Sequence, residues 1–445
     1  MKLKHQLVGI LTLFAVINGT YAQNTLTLEK CIEKALDQSL QLKSDNYDLE
    51  KTKASIGQAY STLLPSINGS ASYQYYFDVA TSILPSESFG GQAGSYSAVQ
   101  FGVPQTKSAG ITLNQTVFNA SSLIALKAAK AYLKLNHLQI QSSKEELIYN
   151  ITATYYNIQT IDKQIDLSNN NLNNTEKLLK STQDQYKAGL ATQTDVDRLL
   201  VTRDNSAASV ESSRNSREKY YNLLKLLMNV SLNDSIQVVP FTDIELDAIA
   251  LQQASFNAEN KTNYLQIVEN KTITNLQRKN ISYGYLPTLS MTGNLSYSGY
   301  YTSSNPLKNL NDKWYPSSYI GLNLSVPVFD GFSKKFQIKQ KDFELKKLDI
   351  QAEQTILQNK KDVADATADL NSNFITYENQ KRNFVLAQKV MKDIESQYQN
   401  GLVKVSDYIN SNTELQSAQN NYITAIINIK QAQLNLKKAQ GELIN

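Results

Sequence analysis

Two periods alternate along this chain. Stretches in which apolar residues recur every seventh position give way to stretches in which they recur every second one. One seven-residue series is Leu370, Tyr377, Phe384, Met391 and Tyr398, which predicts a long helix with a narrow apolar seam. An earlier series, Ile158, Ile165, Leu172, Leu179 and Tyr186, predicts another. Each series runs into the same turn signal, Gln185-Tyr186-Lys187-Ala188-Gly189-Leu190 and Gln397-Tyr398-Gln399-Asn400-Gly401-Leu402. The shift between them, from 189 to 401, is 212 residues.

The two-residue period marks strands. Ile67, Gly69, Ala71, Tyr73, Tyr75 and Phe77 alternate with Asn68, Ser70, Ser72 and Gln74, directly after Leu64-Pro65. Residues 78 to 108 are rich in Ser, Gly and Gln and read as a long exposed loop. Ile111, Leu113 and Val117 then resume the alternation and complete a hairpin. After Leu286-Pro287 the pattern returns in Leu289, Met291, Gly293, Leu295, Tyr297, Gly299 and Tyr301, and again in Ile320, Leu322, Leu324, Val326 and Val328. The run Gly110 to Asn119 matches Gly321 to Asp330 at a shift of 211, so the chain reads as a tandem repeat of one large unit.

Between and around the strands the chain predicts helices. One opens at Leu26-Thr27-Leu28-Glu29, with Thr27 as N-cap, and continues to about Thr62. From Ala120 to Val239 there is no proline and only Gly189 among the glycines, so a helix approaching about 100 Å reverses at Gly189. Thr192 or Thr194 is placed to cap the return helix. The second half repeats the order, with helices over about Leu246 to Tyr283, Phe332 to Asn400, and on from Gly401 to near Gly441. The expected organisation is a leader at 1–22, a first repeat at 23–229 with its β-hairpin at 66–118, a connector at 230–243, and a second repeat at 244–445 with its hairpin at 288–328.

Composition changes this picture in three ways. Lys2, Lys4 and His5, the apolar run Leu7 to Ile17 and the small-residue site Thr20-Tyr21-Ala22 read as a secretory signal peptide. Its removal lowers the net charge from +4 to +2, which is no footprint for nucleic acid. What remains has one cysteine, Cys31, and one histidine, His137, too few for a disulfide, a zinc site or a nucleophilic constellation, and both are expected to be packing residues. Cys31 lies beyond the apolar core of the leader and follows charged residues, so it is not read as a lipid anchor. No motif for a nucleophile, metal or phosphate is present, and no enzymatic role, metal or cofactor is expected.

The four strands are long enough to cross an outer membrane when tilted, and their second face is hydroxyl and amide, as a barrel lining would be. A small soluble sheet is the plainer reading. Four strands cannot close alone in lipid. Eight from two chains would leave a packed interior and 12 from three a bore. The long helices have thin seams in a surface rich in Asn, Gln, Ser and Lys, which suits a hollow helical cylinder, with a solid coiled-coil rod as the alternative.

These signals together resemble the TolC family of outer-membrane channel proteins over essentially the whole mature chain. The carriers are the Gln-Tyr-x-x-Gly-Leu turns at 185–190 and 397–402, the Leu-Pro strand entries at 64–65 and 286–287, the Val-Phe-Asn/Asp exits at 117–119 and 328–330, and the opening Leu-Thr-Leu-Glu. The resemblance implies a mainly α fold with a membrane β-barrel part: 4 strands per chain, a 12-stranded barrel from a homotrimer, and a long α-helical coiled-coil barrel in the periplasm of a Gram-negative type envelope. It implies an efflux or type I secretion duct embedded in outer-membrane lipid, docked to a periplasmic adaptor (membrane fusion) protein and an inner-membrane pump of RND, ABC or MFS type.

The same resemblance implies a gate just past the two turns. Asp407 falls on a ring-forming aspartate at the constriction. The family's second aspartate is Asn410 here, and its gate arginine is Val403, with Lys404 beside it. Asp195 and Tyr398 match a pair that bridges neighbouring coils when the tunnel is closed. Gly189, Leu190, Gly401 and Leu402 form the tips that an adaptor would touch. The rival readings are a periplasmic or surface scaffold or adhesin built on the coils, and a passive porin.

Overall fold

A computed structural model describes residues 25–241, 256–302 and 313–444. The expected leader and the first part of the helix expected from Leu246 lie outside them. The chain opens with β1 (Thr25–Leu26), α1 (Leu28–Gln38) and α2 (Leu40–Ser61). Thr27 caps α1, its hydroxyl accepting from the Lys30 N–H at 3.3 Å. The single helix expected up to Thr62 is broken at Ser39, whose Oγ accepts from Leu42 N–H at 3.3 Å. A serine that offers its own acceptor to the backbone competes with the helix at that point and starts a new one.

Next come β2 (Ser66–Tyr75), β3 (Thr81–Pro85), β4 (Tyr96–Gln100) and β5 (Gln105–Phe118), then α3 (Ala120–Lys187), α4 (Gln193–Leu227) and β6 (Gln237–Val238). They are followed by α5 (Thr262–Tyr283), β7 (Thr288–Tyr301), β8 (Tyr315–Ser325), α6 (Ser333–Gln399) and α7 (Val405–Gln440). The stretch 78–108 is not a bare loop. It holds the β3–β4 ribbon and the start of β5.

The chain divides into two compact units, and each takes residues from both halves of the sequence. The first unit comprises Ser44–Ser142 and Asn257–Lys360. Its sheet has the order β2-β5-β7-β8, antiparallel throughout. One face carries a polar ladder. The Asn294 Nδ2 donates to Thr112 Oγ1 at 3.1 Å, Thr292 Oγ1 to Asn114 Oδ1 at 3.3 Å, and the Ser72 and Ser108 hydroxyls share a bond of 2.7 Å. The other face is apolar and bare over its middle, with Ile320 81% and Ile67 67% exposed, while at its far end Lys107 is buried, its Nζ 4.6 Å from the centre of the Tyr301 ring. A sheet that leaves its apolar face uncovered is built for lipid.

The helices of this unit stand side by side in the same order as the strands they continue. The Asn136 Nδ2 on α3 donates to the Asp48 carbonyl on α2 at 3.3 Å. On α5, Gln266 donates to the Leu138 carbonyl of α3 at 3.1 Å, and Arg278 pairs with Asp342 of α6 at 2.5 Å. On the side of α6 away from these contacts, Phe336, Phe343, Ile350 and Leu357 recur every seven residues and are 57–67% exposed.

The second unit comprises the described parts of Met1–Lys43, Ser143–Phe256 and Lys361–Asn445. Here β1 pairs parallel with β6, and the Tyr155 hydroxyl donates to the Leu26 carbonyl at 3.0 Å and accepts from Val239 N–H at 3.2 Å. Cys31, Ala35, Ile151, Tyr155, Ile158, Leu224 and Met228 pack beneath that pair. His137, on α3 in the other unit, is exposed, contrary to the packing role expected of it.

Candidate functional site

The two helical hairpins of the second unit turn in the same way. Gly189 and Gly401 have φ of 76° and 71°, a left-handed backbone that glycine adopts without steric cost. The Gly189 N–H donates to the Tyr186 carbonyl and Leu190 N–H to the Gln185 carbonyl, at 2.9 and 2.8 Å. Gly401 and Leu402 donate to Tyr398 and Gln397, both at 2.9 Å. These nested bonds satisfy the last helical carbonyls and swing the next residue outward. Leu190 is 81% and Leu402 74% exposed as a result.

An aspartate starts each return helix. The Asp195 Oδ2 accepts from the Thr192 N–H at 3.1 Å, while the Thr192 hydroxyl accepts from Asp195 N–H at 3.2 Å, a reciprocal capping box. The Asp407 Oδ2 accepts from the Lys404 N–H at 3.1 Å. Lysine stands where Thr192 stood, so here only the carboxylate half of the arrangement is matched. Asp407 and Asn410 are exposed, and Val403 is half-buried against the core.

Near the turns, neutral groups make the hydrogen bonds between the hairpins. The Tyr398 hydroxyl shares a hydrogen bond of 2.9 Å with Thr182 and donates to Gln185 Oε1 at 3.2 Å, tying α6 to α3. The bonds recorded for Asp195 go to Thr192, and those for Tyr398 to Thr182 and Gln185. Further from the turns, Gln419 on α7 donates to Asn171 on α3 at 3.3 Å, and Gln416 donates to Ser206 on α4 at 3.3 Å. Among the described residues of this unit, each ion pair, such as Arg217 with Asp162, lies within one hairpin.

α7 is the hub of this packing. Tyr408, Asn412, Leu415, Gln419, Tyr422, Ile426 and Ile429 alternate steps of four and three, and all are buried. The α6 series Leu370, Tyr377, Phe384, Met391 and Tyr398 meets them, with Phe384 stacked on Tyr422 at 5.2 Å and 10°. Burial pushes the Tyr408 hydroxyl well above the ordinary tyrosine pKa, with the Glu395 charge adding to the shift. The α3 seam follows the series read in the sequence only in part: Ile158 and Leu179 are buried but Tyr186 is 44% exposed, and the buried line near the tip also takes in Ser168, Asn171, Thr175, Leu178 and Thr182. Residues such as Thr182 and Gln185 carry no apolar signal, so the partners of Tyr398 were invisible to a search for hydrophobic periodicity.

Among the described residues no group of His, Cys, Asp and Glu is placed to hold a metal, and no helix is long and apolar enough to cross a membrane.

Comparison with known proteins agrees with this construction. The chain is 23% identical over 413 residues to the outer membrane protein TolC of Escherichia coli K12, covering 91% of this chain and 80% of that one. Among solved structures it superposes on the Campylobacter jejuni CmeC outer membrane channel with a TM-score of 0.71 at 16% identity, covering 93% and 85% of the two chains. For VceC, an outer membrane protein of Vibrio cholerae, the TM-score is 0.70 at 15% identity, with 93% and 96% covered. The family model described as outer membrane efflux protein matches residues 31–229 and 278–442. The chain belongs to the outer membrane efflux protein family.

Proposed function

We propose that this outer-membrane efflux channel, a transport protein with a periplasmic helical extension and no catalysis of its own, works as a homotrimeric duct. In that duct three copies of the four-stranded sheet close a 12-stranded barrel. The observation that carries the reading is the pair of unlike edges on one unit. β2 and β8 are the outer strands of the sheet, and they run in opposite directions because three antiparallel steps separate them. The β8 of one copy therefore meets the β2 of the next as one more antiparallel pair, a head-to-tail contact that closes a ring. The helices offer the same joint, with the exposed Phe336-Phe343-Ile350-Leu357 stripe of α6 as the seam for the next copy's α2, where Tyr47 is 75% exposed. Twelve strands leave a bore, lined here by the neutral Ser, Thr and Asn ladder.

The remaining roles follow from the hairpins. Tyr398 latches the α6–α7 hairpin to α3 through Thr182 and Gln185, on the same two hairpins that carry Asp195 and Asp407. Three copies of Asp407, with Asn410 one turn further, form the constriction and favour cations. The turns at Gly189-Leu190 and Gly401-Leu402 present two protruding leucines per copy to a periplasmic adaptor, which links the duct to an inner-membrane pump. Energy for transport comes from that pump. Light scattering of the detergent-purified protein tests the assembly. A trimer supports it, and a monomer or dimer rejects it in favour of a coiled-coil scaffold.

A further inference from the structure

The β3–β4 ribbon is inserted between β2 and β5, at the end of the sheet away from the helices. One of its faces, Leu84 with Ser97 and Val99, is partly covered. The other presents Ile83 (71% exposed) and Tyr96 (73%), and Phe77 at the ribbon's foot is 91% exposed. From Tyr76 to Pro104 the only charged residues are Asp78 and Glu87. The opposite edge of the same sheet has its own uncovered aromatic group at the start of β8: Trp314, the chain's one tryptophan, and Tyr315, 39% and 49% exposed. Beside them stands a cation, the Lys313 Nζ, 5.7 Å from the centre of the Tyr315 ring.

The register shows where these two groups fall around a closed barrel. Ser72, Ser108, Ser298 and Tyr315 lie in one hydrogen-bonded row. The strands also slide along each other: Ser66, Asn114, Thr292 and Gly321 form a row at the start of β2, yet β8 continues for four residues, to Ser325 opposite Thr288. Such a stagger is what a tilted barrel requires, and it accumulates from strand to strand. Carried on to the next copy's β2, it moves Tyr315 about four to six residues on from Ser72, to the Tyr76-Phe77-Asp78 segment where the ribbon begins.

We propose that the ribbon is a strap between copies: its Ile83, Tyr96 and Phe77 cover Trp314 and Tyr315 of the next copy, with Asp78 and Glu87 facing that copy's Lys313. The strap continues the β2–β8 joint beyond the paired strands and buries aromatic surface that each copy alone leaves in water. It rests on the trimer proposed above. It also explains an insertion of this size on the β2 side, where the β7–β8 side carries Trp314.

Two measurements on the full-length protein in detergent test the strap. In the double variant Ile83→Ser/Tyr96→Ser, Trp314 emission shifts to the red and becomes more readily quenched by acrylamide, and the trimer dissociates at a lower temperature. Separately, Phe77→Cys with Lys313→Cys yields disulfide-linked dimers and trimers on a non-reducing gel. Within one chain β2 and β8 are three strands apart, roughly 14 Å, beyond the reach of a disulfide. Cys31 is buried and does not compete. A trimer that gives no covalent ladder and unaltered Trp314 quenching overturns the strap and leaves the channel reading standing. A protein that does not trimerise overturns both.

Discussion

Asp195 and Asp407 stand 212 residues apart and are held alike, each carboxylate accepting 3.1 Å from a backbone N–H three residues earlier, Thr192 in one case and Lys404 in the other. A carboxylate in the first turn of a helix satisfies an orphan donor and meets the positive end of the helix dipole. These residues therefore have a structural duty that any role in the constriction is laid over. Removing the carboxylate, as in Asp195→Ala or Asp407→Ala, costs about 0.5–2 kcal/mol, read as a fall in melting temperature. Asp407→Asn keeps an acceptor for Lys404 while deleting the charge. It loses cation selectivity in a bilayer and keeps most of the stability.

Tyr398→Phe deletes one hydroxyl and both of its bonds while leaving the ring in the core. Thr182, fully buried, loses its partner at the same time. The closed arrangement is weakened by about 1–2 kcal/mol, a five- to thirty-fold shift toward the open form. Single-channel recording shows it as raised open probability, and unchanged closure rejects the latch.

The tips respond differently. Leu190→Asp and Leu402→Asp alter side chains that lie in solvent, so melting temperature and trimer yield stay as they were while capture of the adaptor fails. Gly189→Ala and Gly401→Ala instead strain a left-handed backbone by about 1–2 kcal/mol each. An adaptor pull-down and a thermal melt, run on the same four variants, separate the docking surface from the turn that presents it.

How much of this was legible in the residues follows from what each signal depends on. The strands, the turns at 189 and 401 and the α6 seam were visible because proline, glycine and a strict apolar period announce them. The Thr27 cap was visible as side-chain chemistry next to a helix start, and the Thr192 cap as one of two candidates, with Thr194. Three features were not. The α3 seam near the tip includes Asn171 and Thr182, which hydrogen-bond to α7 and α6, and Thr175, which bonds back to the Asn171 carbonyl of its own helix. The β3–β4 ribbon hides in a Ser- and Gly-rich stretch with only five paired residues per strand. The Ser39 break looks like any polar residue in a helix until its hydroxyl is seen on Leu42 N–H. His137 went the other way, since its scarcity suggested packing and its place on α3 is exposed.

Cys31 gives a pH test remote from the gate. Burial pushes its thiol up from 9.0 to about 11, only partly offset by Lys34. A folded-state pKa above the unfolded one means stability that is fully present below about pH 9 and lost as pH rises through about 11. The protein therefore loses melting temperature over that window, and Cys31→Ala flattens the part of the decline due to the thiol. Iodoacetamide at pH 8.5 modifies the folded protein slowly and the unfolded chain fast.

The account stands on closure of a ring by unlike edges, and planar-bilayer conductance of the sized, detergent-purified protein tests it most directly. It predicts a trimer that carries small cation-selective currents, raised by Tyr398→Phe and stripped of selectivity by Asp407→Asn. A protein that inserts as a trimer and passes no current, or that stays monomeric and silent, contradicts it.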